Sequence, residues 1–350
     1  MISHQNVIAQ MLQVAQITPS DHKRILACLP LFHITGLVHQ MHLPVLLNAE
    51  VFMLPEFSMP ALCKTVQDHK ILEVLLVPPI LIRLVRDPEV KKYDLSCVRR
   101  FSSGAAPVSE EVLQQLQSMF PGTGFKQGYG MTESCSCITA HPPSIYDWKY
   151  AHAVGMVCAS TEVKIMDPDT GKALGRNQPG EICARGPQIV MGYLNNEKAT
   201  KETFDEDGFL HTGDMGVVDD EDIVTVVDRL KELIKVKGIG VAPAELEDLL
   251  LGHDKVEDCA VMGVQDEYSG ERPKAYVVLK AGNNKDVATG EEIIKYVMAK
   301  KDRNKWVREV ELVDVIPKSA SGKILRRVLK DQAKAGKTGL VVTAPERARL

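Results

Sequence analysis

Seven consecutive residues, Gln127-Gly128-Tyr129-Gly130-Met131-Thr132-Glu133, carry the densest chemistry in the chain. Gly128 and Gly130 let a ligand approach the backbone closely. Thr132 offers a hydroxyl to an α-phosphate, and Glu133 offers a hard oxygen suited to Mg2+. A second stretch, residues 208–247, has complementary equipment. His211-Thr212-Gly213-Asp214 reads as a tight turn presenting one carboxylate, an acceptor for ribose hydroxyls. Lys231, Lys235 and Lys237 crowd together before Gly238 and suit phosphate. Between them, residues 215–218 and 223–227 flank an acidic turn at 219–222, the pattern of a β-hairpin. A carboxylate followed by clustered amines suggests a nucleotide, held where two domains meet. Taken bare, the glycine motif fits any glycine turn, and the second stretch fits a hairpin followed by a solvated basic strand.

Other elements must position these groups. At 350 residues the chain is long enough for a large core and two domains. A hydrophobic content of 45% and a charged content of 25% are ordinary for a globular protein. The net charge of −4 argues against nucleic acid as the main partner. Eight scattered Cys, with the closest pair at Cys135 and Cys137, match neither a zinc spacing nor a disulfide framework, so reduced thiols are expected. The most apolar run, residues 71–85, is interrupted by Glu73, Pro78, Pro79 and Arg83, so no membrane span is predicted.

A helix is predicted over residues 1–14 with Ser3 as its cap, and a buried strand over 25–29. Strands follow at 51–54, 72–77 and 98–102. Ser103-Gly104-Ala105-Ala106-Pro107 forms the turn out of the last strand, and Ser109 caps a helix running to Phe120. Small residues at the C-terminal end of a strand leave room for a flat ring. A β-rich subdomain is expected over 149–227. After it comes a small α+β domain, 229–334, hinged near 228–231. This domain has helices at 243–251 and 291–299 and strands at 259–264, 276–279 and 310–313. It ends in the loop 318–322, whose glycine lets Lys323 swing into a cleft, and in a basic helix through Arg326, Arg327 and Lys330. Residues 335–350 read as a loose tail. The fold class is α/β, with mixed sheets in a partial large domain (1–228) and a small hinged α+β domain.

The motifs resemble, in order, those of adenylate-forming (AMP-binding) enzymes, closest to the branch of 4-coumarate–CoA ligase, firefly luciferase and fatty acyl–CoA synthetase. The resemblance is carried by Leu29-Pro30-Leu31-Phe32-His33-Ile34, Val77-Pro78-Pro79-Ile80, residues 103–107 and 127–133, Gln178-Pro179-Gly180-Glu181-Ile182, Gly192-Tyr193-Leu194-Asn195 and residues 316–325, with the 208–247 stretch between. It implies an acid–thiol ligase in which a carboxylic acid and ATP give an acyl-adenylate, and CoA then displaces AMP. By resemblance, Gly104 and Ala105 face adenine. Gln127, Gly128 and Thr132 hold AMP, Asp214 holds the ribose, and Glu133 holds Mg2+. His33, Thr35, His39, Tyr129, Gly130 and Met131 line the acid pocket, and Cys135, Ser136 and Cys137 tune it. Lys323 serves adenylation. Lys235, with Lys237, Gly238, Arg229 and Lys231, serves the thioester step and the CoA tunnel. Glu56 stands where the family often has a CoA-contacting Lys, and Gly240 where it commonly has Gln.

In the family, the segment equivalent to residues 2–6 follows a Ser/Thr/Gly-rich loop that wraps the ATP phosphates. This sequence begins just past that point. The expectation is therefore an acyl-CoA ligase serving a secondary-metabolite, fatty-acid or aryl-acid pathway. The alternative is a truncated, non-catalytic AMP-binding remnant or gene-model fragment. The ending Ala348-Arg349-Leu350 resembles a peroxisomal address, read by an import receptor. Peroxisome, otherwise cytoplasm, is the expected location.

Overall fold

The structure, a computed structural model, describes residues 1–319, 322–336 and 339–344. The chain forms two compact units, Met1–Val226 and Val227–Leu350.

In the first unit, α1 (His4–Gln16) starts at Ser3, whose Oγ accepts the Asn6 N–H while Asn6 Oδ1 receives the Ser3 N–H, a reciprocal capping box. Strands β1 (Arg24–Ala27) and β2 (Glu50–Met53) pair in parallel. A seven-residue π-helix, Gly36–His42, lies between them in sequence and leads into α2 (Leu43–Leu47). The central sheet has the order β3 (Glu73–Leu75), β4 (Arg100–Ser103), β5 (Gly124–Met131), β6 (Ser136–Ala140), β7 (Met156–Val157). Its first three strands are parallel and its last two antiparallel. Helices α3 (Met59–His69), α4 (Pro78–Arg86) and α5 (Glu110–Met119) bury apolar faces in its core, among them Leu62, Leu81 and Leu116, around Phe101 and Phe125. Pro78 and Ser109 start α4 and α5 as their types dictate.

The β-rich part is a second five-stranded sheet, β8 (Glu162–Met166), β9 (Ala173–Leu174), β10 (Gly180–Arg185), β11 (Leu210–Val218) and β12 (Val224–Arg229), joined by α6 (Glu197–Thr203). The 215–227 hairpin is present as β11 and β12. The tight turn expected at 211–214 is instead the inside of β11. Between His211 and Met215 the strand carries two more residues than β10 does between Cys183 and Glu181, which makes a β-bulge there, and Gly213 takes φ +71°.

The second unit is a six-stranded sheet of β13 (Ile234–Val236), β14 (Ile239–Val241), β15 (Val256–Asp266), β16 (Gly270–Leu279), β17 (Glu309–Leu312) and β18 (Leu340–Thr343), with α7 (Pro243–Leu251), α8 (Val287–Lys300) and α9 (Arg326–Lys334). Leu246, Leu250, Ile293 and Val297 pack its core. The reading of 335–350 as a loose tail is corrected at residues 340–343. Leu340–Thr343 pairs with β17 because Val342 and Ala344 are apolar and reach that core. Ala320 and Ser321 of the expected mobile loop, and Ala348-Arg349-Leu350, lie outside the described residues. Among the described residues no helix is long and apolar enough to cross a membrane.

Candidate active site

Strand β5 sorts the candidate residues onto two faces. Side chains alternate along a strand, and the burial of β5 alternates with them. Phe125, Gln127 and Tyr129 are buried on one face, and Lys126, Gly128 and Gly130 lie on the other. Gln127 donates its amide to the Ala151 carbonyl. The Tyr129 Oη donates to Asp214 Oδ2 at 2.7 Å, joining two motifs 85 residues apart. Tyr129 thus lies with Asp214 and points away from Gly128 and Gly130, with which sequence reasoning had grouped it.

Asp214 is placed by the bulge. Its N–H reaches Thr212 Oγ1, and Thr212 donates to the Ile182 carbonyl at 2.6 Å. Glu181 clamps the preceding residues: Oε1 accepts the Gly213 N–H at 3.0 Å and Oε2 meets His211 Nδ1 at 2.8 Å. Burial pushes the thiol of Cys183, beside His211, up to about 12, so it remains protonated.

The turn at the end of β4 comes against the same strand. A Cβ at Gly104 would lie 3.2 Å from the Gly128 carbonyl oxygen, and Ser103 pairs with Gln127. Ala105 holds φ +70°, a left-handed conformation strained for any residue with a Cβ. Beyond β5, Thr132–Ser134 is a single 3-10 turn with Thr132 exposed. Glu133 accepts the Tyr193 hydroxyl on Oε1 at 2.8 Å, and no other side-chain bond to Glu133 occurs among the described residues. Its second oxygen and the adjacent Thr132 hydroxyl are hard donors, and they fit Mg2+.

Of the residues predicted for the acid pocket, His39 lies in the π-helix and His33 and Thr35 just before it, Tyr129, Gly130 and Met131 are on β5, and Ser136 and Cys137 are on β6. His39 Nε2 lies 2.9 Å from Ser136 Oγ and 3.8 Å from Cys137 Sγ. Cys137 Sγ in turn lies 3.3 Å from where a Gly128 Cβ would be. Burial pushes the His39 imidazole down to about 4, and the nearby Lys126 charge acts in the same direction, so the ring is neutral. Thr35 donates its N–H to His33 Nδ1 at 3.3 Å. Met131, half-buried, pairs with Ser136.

In the second unit, Lys237 and Gly238, both at positive φ, form the two-residue turn between β13 and β14. Lys237 Nζ sits 4.1 Å from the centre of the Tyr268 ring. Lys235 is exposed on β13, opposite Gly240, and its N–H bonds Glu271. Arg229 and Lys231 are exposed at the end of β12 and just after it. Lys323 is exposed in a short loop closed by the Ser319 N–H to the Lys323 carbonyl and by Lys318 pairing with Ile324. Lys318 itself is held by Asp258 at 2.7 Å.

Sequence reasoning missed one cluster. Glu73 on β3 accepts Lys126 Nζ at 2.5 Å, Arg100 Nε at 2.9 Å and Ser102 Oγ at 2.8 Å. Arg100 also binds Asp21 at 2.6 Å. Burial alone would push the Glu73 carboxyl up, but Lys126 and its hydrogen bonds hold it well below the usual carboxylate range. The available signal was an acid inside the apolar run 71–77 and a lysine directly before Gln127.

The profile of the AMP-binding enzyme family matches residues 1–194, and that of the AMP-binding enzyme C-terminal domain matches residues 245–323. The chain belongs to the AMP-binding enzyme family. Among similar members, 4-coumarate–CoA ligase 5 of Oryza sativa subsp. japonica is 40% identical over 347 residues, covering 96% of this chain and 63% of the relative. 4-Coumarate–CoA ligase 1 of Arabidopsis thaliana is 44% identical over 315 residues, covering 87% and 54%. This chain thus spans between half and two thirds of the length of these curated relatives. Of solved family structures, ATP-bound MatB from Rhodopseudomonas palustris superposes with a TM-score of 0.85 at 27% identity, covering 95% of this chain and 65% of that one. Bacillus subtilis o-succinylbenzoate coenzyme A synthetase with ATP and magnesium gives 0.81 at 29%, covering 94% and 66%. The expected α/β class with a small C-terminal domain agrees with these neighbours.

Proposed function

We propose that this chain is the part of an ATP-dependent acid–CoA ligase that binds the adenylate and carries both catalytic lysines. The supporting observation is the hydrogen bond between Tyr129 and Asp214, which joins the glycine-rich strand to the proposed ribose carboxylate. Asp214 takes the ribose hydroxyls, and the Gly104–Ala105 turn lies against adenine beside Gly128. The exposed Thr132 hydroxyl takes an α-phosphate oxygen. Glu133 would hold Mg2+, which when bound neutralises phosphate charge. Lys323 bridges the acid carboxylate and the α-phosphate as the acid oxygen attacks and pyrophosphate leaves. Lys235, with Lys237, Gly238, Arg229 and Lys231 around it, serves the second half, in which the CoA thiol attacks the acyl carbon and AMP leaves. Positioning and charge neutralisation carry most of such a reaction.

The names of the relatives make aryl acids the first to test. Pyrophosphate release from ATP–Mg2+ by the purified chain, across aryl and fatty acids, tests adenylation. Lys323→Ala should lower it about 100-fold, the scale of one lost transition-state contact. Lys235→Ala should spare it and slow acyl-CoA formation. Failure to bind AMP at all would overturn the reading.

A further inference from the structure

Glu181 and Cys183 stand two residues apart on β10, so their side chains share one face of the second sheet. His211 of β11 is the direct partner of Cys183 across the two strands. The three side chains therefore converge. His211 Nδ1 lies 2.8 Å from Glu181 Oε2 and 3.4 Å from Cys183 Sγ. All three donor atoms lie within 4.8 Å of one another, and among the described residues no other group of three His, Cys or acidic side chains does the same. Cys183 is buried and His211 is half-buried, so the imidazole side is the one open to an arriving ion.

A thiolate sulfur, an imidazole nitrogen and a carboxylate oxygen are the donor types of zinc, which holds them tetrahedrally at about 2.0–2.3 Å. Such a shell sets its donors about 3.3–3.7 Å apart, so the Glu181–His211 pair would part by about half an ångström to admit the ion. The surrounding contacts are also those of a metal site. A ligating histidine usually turns its other nitrogen to a carboxylate, which fixes the ring. His211 Nε2 faces Asp205 Oδ2 at 3.6 Å. Lys164, the cation opposite Cys183 on β8, is paired with Asp205 at 2.8 Å, which balances its charge.

We propose that Glu181, Cys183 and His211 bind one divalent cation of the zinc class through Oε2, Sγ and Nδ1, with water as the fourth ligand. On binding, the thiol proton leaves to solvent and the ring proton moves from Nδ1 to Nε2, on the Asp205 side. Glu181 keeps its other oxygen on the Gly213 N–H. The ion therefore clamps β10 to the bulge that places Asp214. Thr132 and Glu133, which offer oxygen alone, suit a harder ion.

The test is a titration of the whole chain, reduced and stripped of metal, with Co2+, whose thiolate charge-transfer absorption reports a cobalt–sulfur bond. One equivalent should bring in that absorption with the visible bands of a tetrahedral ion. Zn2+ should abolish both, and excess Mg2+ should leave them. Cys183→Ser should remove the charge-transfer absorption, and His211→Gln should weaken binding roughly tenfold or more. Thermal melts check that the variants fold, and either folded variant decides the matter. No charge-transfer absorption in the unaltered chain overturns the proposal. So does its persistence in Cys183→Ser, or unchanged affinity in His211→Gln.

Discussion

In each unit a glutamate packs against an arginine away from solvent, Glu73 in the first and Glu247 in the second, and the two behave oppositely. In the first unit Glu73 meets Lys126, Arg100 and Ser102, and its carboxyl is held below the ordinary range. In the second unit Glu247, on α7, meets Arg326 at 2.5 Å and the Val261 N–H at 2.8 Å. Burial pushes the Glu247 carboxyl up to about 7 against the pull of Arg326. Nearby Asp228, itself raised by burial, adds to the rise. Burial opposes ionisation in both places. The number of cationic partners decides whether it is overcome. One site is a permanent ion cluster, while the other is poised to take up a proton near neutrality. Asp228, which accepts the Ala244 N–H at 2.9 Å, stands where the sequence predicts the hinge.

The largest effect should come from Glu73→Gln, which leaves Lys126 and Arg100 buried without their shared carboxylate. A loss of about 3–5 kcal/mol is expected in urea titrations. Glu247→Gln should cost far less at pH 8, because it removes a charge that burial disfavours. If the two losses are equal, partner number does not explain the difference.

The pH dependence should separate the units. The folded pKa of Glu73 lies below its unfolded value, so its contribution is present above pH 4.5 and fades as pH falls below that value. The folded pKa of Glu247 lies above its unfolded value. Its contribution is full below pH 4.5 and is lost as pH rises through about 7. Hydrogen exchange of the whole chain should show residues 73–75 losing protection below pH 4.5, while those of α7 gain it between pH 7 and 4.5. Parallel changes in both would break the comparison.

Smaller effects sharpen it at single contacts. Tyr129→Phe removes one donor from the buried Asp214 carboxylate and should cost about 1–2 kcal/mol in the same titrations. Gly238→Ala places a Cβ at φ +81° and should cost about 1 kcal/mol. Thermal melts of that variant should move least.

Much of this was legible in the sequence. Cap residues such as Ser3, Ser109 and Pro243 announce helix starts by local chemistry, and those helices begin where expected. The ordered motifs implied the family before any fold was seen. Two kinds of feature were not legible. The 211–214 segment contains Gly and Asp, which read as a turn, but its bulge depends on Glu181 from a neighbouring strand. Glu73, Arg100 and Lys126 are far apart in sequence and meet only through the parallel register of β3, β4 and β5. Residues 340–343 looked like tail because their partner, β17, lies about thirty residues away.

Gly130 holds a position that no other residue can take without moving backbone. A Cβ there would fall 1.6 Å from the Ser136 carbonyl oxygen, and one at Gly36 would fall 2.2 Å from that of Pro30. The crossing of β5 with β6 and the start of the π-helix are therefore closed to gradual mutation. The strictness reaches across the contact, because Ser136 itself holds φ +111°. The two glycines thus mark places where drift in the sequence is stopped by the backbone of a neighbouring segment.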